Sequence, residues 1–532
     1  MTRDWSDLNV AIRKEAHFGD RVVNCFADRP GCYFDMIHKA ARDNPDGEAL
    51  IFEDTRLTWQ ELEAKATGFA KGLLARGIGH GDRLALFLGN RPEFIIAFLG
   101  CAKIGAIIVP INIREQKDAL RHLIQHSGAS AILHEHALVD LLPSAAEAPE
   151  VRFRICPQAC EGSITFADTH VDGAITPAPV IHEEDTLSIN YTSGTTGPPK
   201  GVELTHMGVV HTAMFYTLCI GLTPADRAVI SIPLSFTGGL VSALSVIMYC
   251  GGTVILMSEF KAARFLEIAE RERMTQTLMV PAMYELCIRQ SDIGKYDLSA
   301  WKYGVFGAAP MRGSTVVRLA EIFPHLRLMN SYGATEAGGP STFVRPEDTA
   351  DNLDAVGQAF PCVELAVMDE DGIELPPGSV GELWIRSPGC SSGFWRDRER
   401  TKTEYFGGFW RTGDIAMIKE DGLVRLVDRK KDMINRGGYK ISSTQVEEVL
   451  HLHPSVVECA VVGRPDDVLG ERLQAFIWSN DTELGEAALR QLCVDRLPDY
   501  KIPEFFSFTD APLPRNANGK ILKRVLRESL GA

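Results

Sequence analysis

The chain has 532 residues, which at about 100 to 200 residues per domain predicts three or four folding units, or fewer large ones. Hydrophobic residues make up 45% and charged residues 23%, a soluble globular balance that excludes disorder, collagen and coiled coil as whole-chain descriptions. Lys and Arg number 55 against 70 Asp and Glu, a net charge of -15 without the basic footprint of a nucleic-acid or anionic-membrane binder, so small molecules or proteins are the expected partners.

Thr58 and Glu61 have the spacing of a capping box, and Leu62, Ala66, Phe69 and Leu73 keep helical spacing up to Gly77. RLALFL (Arg83 to Leu88) then reads as a buried strand. A helix near Phe94 to Ile104, strand IIVPI, a further helix and strand AILHE repeat the alternation, which predicts a parallel α/β layout continuing irregularly to about residue 420. Phe236 to Met257 carries no charge, but Cys250, Gly251 and Gly252 divide it into a helix-like piece and the strand-like TVILM. A buried core segment is expected there, and no integral membrane segment. At VRLVDRKKDMI a short apolar strand meets a dense charge cluster. The predicted organisation is a large multi-sheet domain over residues 1–427, a hinge over 428–434, and a small α+β lid over 435–532. The lid is built from strand SVVECAVVG, a helix near Leu484 to Leu497, strand EFFSF and a terminal helix after Gly519.

The 12 Cys form no repeating framework, and the closest pair, Cys156 and Cys160, matches no common zinc or redox spacing. The 14 His show no metal-ligand spacing either, and HLHP at His451 falls at a predicted helix end, so no zinc site is expected. MTRDWSDLNV places charges where a signal peptide needs an apolar core, and a reducing, cytoplasmic setting follows as the expectation.

YTSGTTGPPKGV (Tyr191 to Val202) packs hydroxyls, glycines and one Lys between the strand-like LSIN and the helix-like HMGVVHTAMFY. Glycine lets backbone approach an oxyanion, hydroxyls add donors and Lys200 adds a compact charge, so phosphate is the expected ligand. A P-loop needs Gly, Lys, then Ser or Thr; here Lys200 follows Pro199 and precedes Gly201. A flexible polar turn is the alternative for such a stretch taken alone.

With this string and six further motifs in order, the sequence resembles the adenylate-forming superfamily over essentially its whole length, and specifically the acyl- and aryl-CoA ligase branch. The motifs are FGAAP (Phe306 to Pro310), NSYGATEAGG (Asn330 to Gly339), WRTGD (Trp410 to Asp414), DRKKDMI (Asp428 to Ile434), GGYKIS (Gly437 to Ser442) and PRNANGK (Pro514 to Lys520). The resemblance implies that a carboxylic acid and ATP form an acyl-AMP and pyrophosphate, after which the acyl group passes to the thiol of coenzyme A. It implies catalytic roles for Lys520, Glu336 and Lys200. Nucleotide contacts would come from Thr192, Ser193, Gly194, Thr195, Thr196, Gly197 and Lys200, from Gly307, Ala308 and Ala309 against a flat base, and from Asn330, Ser331, Tyr332 and Thr335. Asp414 would take the ribose hydroxyls and Arg429 the nucleotide. Thr192 and Glu336 would hold Mg²⁺ through hard oxygen donors. Gly437, Gly438 and Tyr439 would meet coenzyme A, with Lys431 as the turning point of the lid.

Phe236 stands in PLSFTGG where many ligases carry His, and no Asp is present there to hold an α-amino group. Phe236, Gly239, Gly333 and Gly338 are the expected acyl-pocket residues, Gly333 leaving open a position that acetate-specific members fill with Trp. An uncharged medium-chain fatty or aromatic acid is the expected substrate. The alternatives are an adenylating enzyme that loads a carrier protein in trans, and a nucleotide-binding homologue without turnover. A homodimer is left open.

Overall fold

A computed structural model describes residues 5, 8–192, 199–515 and 521–530. The structure is mixed α/β, with a large N-terminal part of three main sheets and a smaller C-terminal part with a sheet and a core of its own. Helix α1 (Trp59–Ala75) begins as its sequence dictates: Glu61 N–H donates to Thr58 Oγ1 at 3.2 Å, and Thr58 N–H donates back to Glu61 Oε2 at 2.9 Å. The two bonds satisfy donors that a helix start otherwise leaves unpaired. Its apolar face, including Leu62, Ala66, Phe69 and Leu73, is fully buried.

The first sheet has eight strands. At its centre β1 (Arg83–Phe87) pairs in parallel with β2 (Ile107–Pro110) and β3 (Ala131–His134), and β3 pairs in parallel with β4 (Phe153–Cys156). Beyond β2 lies β5 (Thr186–Thr192), which carries the start of the phosphate-loop motif to the sheet edge, paired antiparallel with β6 (Lys200–Thr205). The sequence sets the glycine-rich string between strand-like LSIN and helix-like HMGVVHTAMFY and assigns no element to the segment that leads up to His206. The structure makes it a strand, because Val202 and Leu204 alternate inward and are buried while Thr205 caps helix α2 (His206–Ile220). The layout is therefore mixed, with antiparallel pairs at the functional edge.

The second sheet has nine strands and is parallel from Arg227–Ile230 through Gln276–Met279 to β7 (Tyr303–Gly307) and β8 (Arg327–Ala334). It turns antiparallel at β9 (Gly339–Phe343). The uncharged stretch beginning at Phe236 breaks as expected: a π-helical segment over Gly238–Ser245 and a short α-turn Val246–Tyr249 precede the buried strand Thr253–Leu256. No helix among the described residues is long and apolar enough to cross a membrane.

The third sheet contains the hairpin of β10 (Phe409–Ile418) and β11 (Val424–Arg429). After a turn, β12 (Ile434–Arg436) and β13 (Tyr439–Ile441) begin the last sheet, which pairs only with strands that follow. Helix α3 (Ser443–Leu450) packs on that sheet, and α4 (Lys523–Glu528) closes the chain.

Candidate active site

Register places the motifs side by side. β7 and β8 are aligned so that Gly307 of FGAAP faces Ser331 of NSYGATEAGG. β10 and β11 are aligned so that Asp414 of WRTGD is the cross-strand partner of Arg429 of DRKKDMI. NSYGATEAGG, WRTGD and DRKKDMI meet at Asp414. Its buried carboxylate accepts Arg429 Nε–H at 2.7 Å and the Tyr332 hydroxyl at 2.5 Å, which fixes both oxygens in position. Burial beside that carboxylate pushes the Tyr332 phenol well above its ordinary range, so it stays a donor.

Beyond β7 the chain turns at Ala308, whose φ of 66° is left-handed, a conformation that costs a non-glycine residue about 1 kcal/mol. The turn leaves Ala308 and Ala309 exposed at the strand's end, where a flat base has access to backbone. Asn330 and Ser331 are buried and tie strands together: Asn330 Nδ2 donates to Ala355 O at 3.0 Å and Ser331 Oγ to Phe306 O at 3.4 Å.

Glu336 lies in the short turn Thr335–Ala337 between β8 and β9. Its carbonyl accepts Ser391 N–H at 3.0 Å and the Tyr405 hydroxyl at 3.1 Å, so the backbone is held from outside the motif. Burial raises its side-chain carboxyl above the usual carboxylate range, partly offset by the positive charges of Lys200 and Arg429. No ion pair among the described residues engages this carboxylate. A half-buried acid of this kind is a fitting oxygen ligand for a hard divalent cation, with Thr192 at the end of β5 as the second expected donor. Lys200, at the start of β6, donates to Glu404 Oε1 at 2.8 Å and shares that carboxylate with Arg400 Nε at 3.4 Å. The sequence reading had no signal for Glu404, which lies 204 residues away.

Thr335 Oγ1 lies 3.0 Å from Thr237 Oγ1, and this contact brings the PLSFTGG loop, with half-buried Phe236, to the adenylate motifs. Three of the glycines expected in the acyl pocket face backbone. A Cβ at Gly239 would sit 2.1 Å from Pro233 O, at Gly333 2.0 Å from Gly339 O, and at Gly338 1.8 Å from Gly389 O. Gly339 instead faces side chains, Thr212 Cγ2 at 3.1 Å, Ser242 Oγ at 3.6 Å and Val241 Cγ1 at 3.7 Å. Thr212, Val241 and Ser242 are themselves buried. Thr212 lies on α2, a helix buried on nearly every side, so no polar stripe marks a functional face.

In the lid, Gly437 and Gly438 have φ of 59° and 91°, as a two-residue hairpin turn between β12 and β13 demands. Tyr439 is exposed and stacks on Tyr500 at 4.5 Å between centroids. Lys431 sits in the turn between β11 and β12, where Asp432 N–H closes on Arg429 O at 2.9 Å. Ser193, Gly194, Thr195, Thr196, Gly197 and Lys520 lie outside the described residues.

The AMP-binding enzyme profile matches residues 37–395, and the AMP-binding enzyme C-terminal domain profile matches residues 445–520. The chain belongs to the AMP-binding enzyme family. It is 32% identical to the long-chain-fatty-acid–CoA ligase FadD13 of Mycobacterium tuberculosis, covering 93% of this chain and 98% of that one. It is 31% identical to a feruloyl-CoA synthase of Amycolatopsis sp, covering 93% and 98%. Among solved structures it is similar to the O-succinylbenzoate coenzyme A synthetase MenE of Bacillus subtilis in complex with AMP, with a TM-score of 0.82, 26% identity, and coverage of 92% of this chain and 98% of that one.

Proposed function

We propose that this family member is an ATP-dependent acid–CoA ligase acting on an uncharged medium-chain fatty or aromatic acid, with Mg²⁺ held by Glu336 and Thr192. The observation that carries the reading is the convergence of three separate motifs on the buried Asp414 carboxylate, with Glu336 of one of those motifs free of any ion pair among the described residues. Asp414 offers fixed acceptors to the ribose hydroxyls of ATP, and Ala308 and Ala309 leave the base a backbone shelf. Bound Mg²⁺ would neutralise phosphate charge. Attack of the acid's carboxylate on the α-phosphate joins two anions and breaks the α–β phosphoanhydride bond, releasing pyrophosphate and leaving acyl-AMP, and Lys520 stabilises that approach before the lid carries it away. The thiol of coenzyme A then attacks the acyl carbonyl and AMP leaves. Thr212, Val241 and Ser242 around Gly339 are uncharged, which favours an uncharged acid. Relatives named as a long-chain-fatty-acid–CoA ligase and as a feruloyl-CoA synthase support a fatty or aromatic acid.

The test is pyrophosphate release over fatty, branched, aryl and dicarboxylic acids, with and without coenzyme A. Uncharged medium-chain or aryl acids should release most, and a thioester should form only when coenzyme A is added. Turnover with a holo carrier protein but not with coenzyme A would move the acceptor to a carrier. ATP binding without release for any acid would make the chain a non-catalytic homologue.

A further inference from the structure

Away from the adenylate site, one end of the first sheet gathers two thiols and an imidazole. Leu133 of β3 and Ile155 of β4 are register partners, so the next residues, His134 and Cys156, stand together at the ends of adjacent parallel strands. The chain then loops out from Cys156 and returns through Ser163 to a short strand, Ile164–Thr165, whose Thr165 pairs with Cys156 itself. That loop carries Cys160 back over the strand ends. The ligand atoms of His134, Cys156 and Cys160 all lie within 4.8 Å of one another, and both cysteines are free thiols.

The imidazole is already oriented as a ligand. His134 Nδ1–H donates to Glu135 O at 2.9 Å, which fixes the tautomer and leaves the Nε2 lone pair pointing to the Ser163 hydroxyl at 2.9 Å. A backbone carbonyl on one ring nitrogen is how metal-binding histidines are commonly held. His134 and Cys156 are fully buried, and burial keeps the imidazole neutral, the form that coordinates. Charge also balances. Two thiolates, one neutral imidazole and a divalent cation sum to zero, which lowers the cost of placing charge in a buried site. Soft sulfur with one imidazole selects zinc over the oxygen-seeking cations.

We propose that His134, Cys156 and Cys160 form a zinc site that clips the 157–163 loop to the edge of the first sheet. Binding replaces the Ser163 hydrogen bond on Nε2 and releases the two thiol protons to solvent, so affinity rises with pH. The cluster shares no residue with the adenylate site, and with three protein donors the fourth position of the ion falls to the neighbouring Ser163 hydroxyl or to solvent. The Cys156–Cys160 spacing gave no signal because the third donor comes from a different strand.

The test uses the full chain, reduced and metal-free, titrated with Co²⁺ as a spectroscopic stand-in and then with Zn²⁺. One equivalent of Co²⁺ should give thiolate charge-transfer absorption and the intense visible bands of a four-coordinate ion, both displaced by Zn²⁺. Cys156→Ser and Cys160→Ser should each weaken apparent affinity by at least about tenfold, with Cys219→Ser as the unaffected control. Independently of any variant's folding, Zn²⁺ should protect Cys156 and Cys160 of the parent protein from alkylation, read by peptide mass spectrometry. Binding that survives both substitutions, alkylation of both thiols at an unchanged rate with Zn²⁺ present, or absorption without thiolate bands would each overturn the proposal.

Discussion

Two buried histidines make a prediction at the scale of single residues. His211 donates from Nδ1 to Met207 O at 2.9 Å and accepts the Phe26 N–H on Nε2 at 3.3 Å, while His206 accepts the Tyr33 N–H at 3.1 Å. Burial lowers the pKa of each from 6.5 to about 4. The unfolded chain therefore binds these protons first. Stability is whole above about pH 6.5 and falls as pH drops toward 4, by about 2 kcal/mol per histidine at pH 5. Urea melts at pH 7 and pH 5 measure this loss. His211→Gln, whose amide can serve both bonds without titrating, should remove about half of it, and an unchanged pH slope would exclude His211 as a source. Gly333 gives the second prediction. With Gly339 O only 2.0 Å from its absent Cβ, even Gly333→Ala must push β9 away, at about 1 to 3 kcal/mol. A Trp at this position then disturbs the turn bearing Glu336 as well as narrowing any pocket. A Gly333→Ala melt equal to the parent's would show that β9 yields freely. For Glu336→Gln, loss of the negative oxygen should reduce pyrophosphate release by about 10²-fold or more while leaving the melt intact, because no ion pair among the described residues is broken.

Among elements, the start of α3 is the most exposed to a single change. Asp428 at the end of β11 accepts the Ser443 N–H at 2.6 Å, the Ser443 hydroxyl at 2.7 Å, the Thr444 N–H at 3.3 Å and the Thr444 hydroxyl at 3.2 Å. One carboxylate on the strand before the turn thus caps the first lid helix. Asp428→Ala should cost about 1 to 2 kcal/mol and raise amide hydrogen exchange across 443–450, with Asp428→Asn partly restoring protection. Exchange unchanged in the Ala variant would assign the cap to Ser442, whose hydroxyl accepts the Gln445 N–H at 3.2 Å. Elements like α1 were legible because Thr58 and Glu61 write their cap locally, and the divided uncharged stretch was legible because Gly251 and Gly252 interrupt it. Strand β6 was not. It spans six residues between a Pro pair and a capped helix, and pairing with β5 on one side and with Gly393–Phe394 on the other makes it a strand. The motif residues could be named from sequence, yet Glu404 and Tyr405 could not, since each reaches the motifs through a long-range contact that no local spacing encodes.

At the scale of the whole molecule, the two half-reactions need different groups at one carbonyl, which is why the turn after β11 matters. Lys431 lies in that turn, and the segment around it is tied on both sides: Lys430 N–H donates to Gly413 O at 2.8 Å, and Arg527 of α4 binds Asp432 at 2.6 Å and reaches Lys431 O at 3.3 Å. Body, turn and terminal helix thus meet within three residues, so the rotation of the C-terminal part that the family resemblance implies would be absorbed there. Proline at position 431 fixes φ near about -65° and removes a donor, so it narrows the backbone angles available for that rotation. Lys431→Pro should therefore keep pyrophosphate release when acid and ATP are supplied, and lose thioester formation when acyl-AMP and coenzyme A are supplied. Lys520→Ala should do the reverse, losing the first half-reaction by about 10²- to 10³-fold while the second persists. The pair of variants separates a turning lid from a general weakening of the fold, because a weakened fold would depress both halves in both proteins. If Lys431→Pro instead loses adenylation and keeps thioester formation, the turn is needed to reach the first arrangement, and the order of lid positions assumed here is inverted.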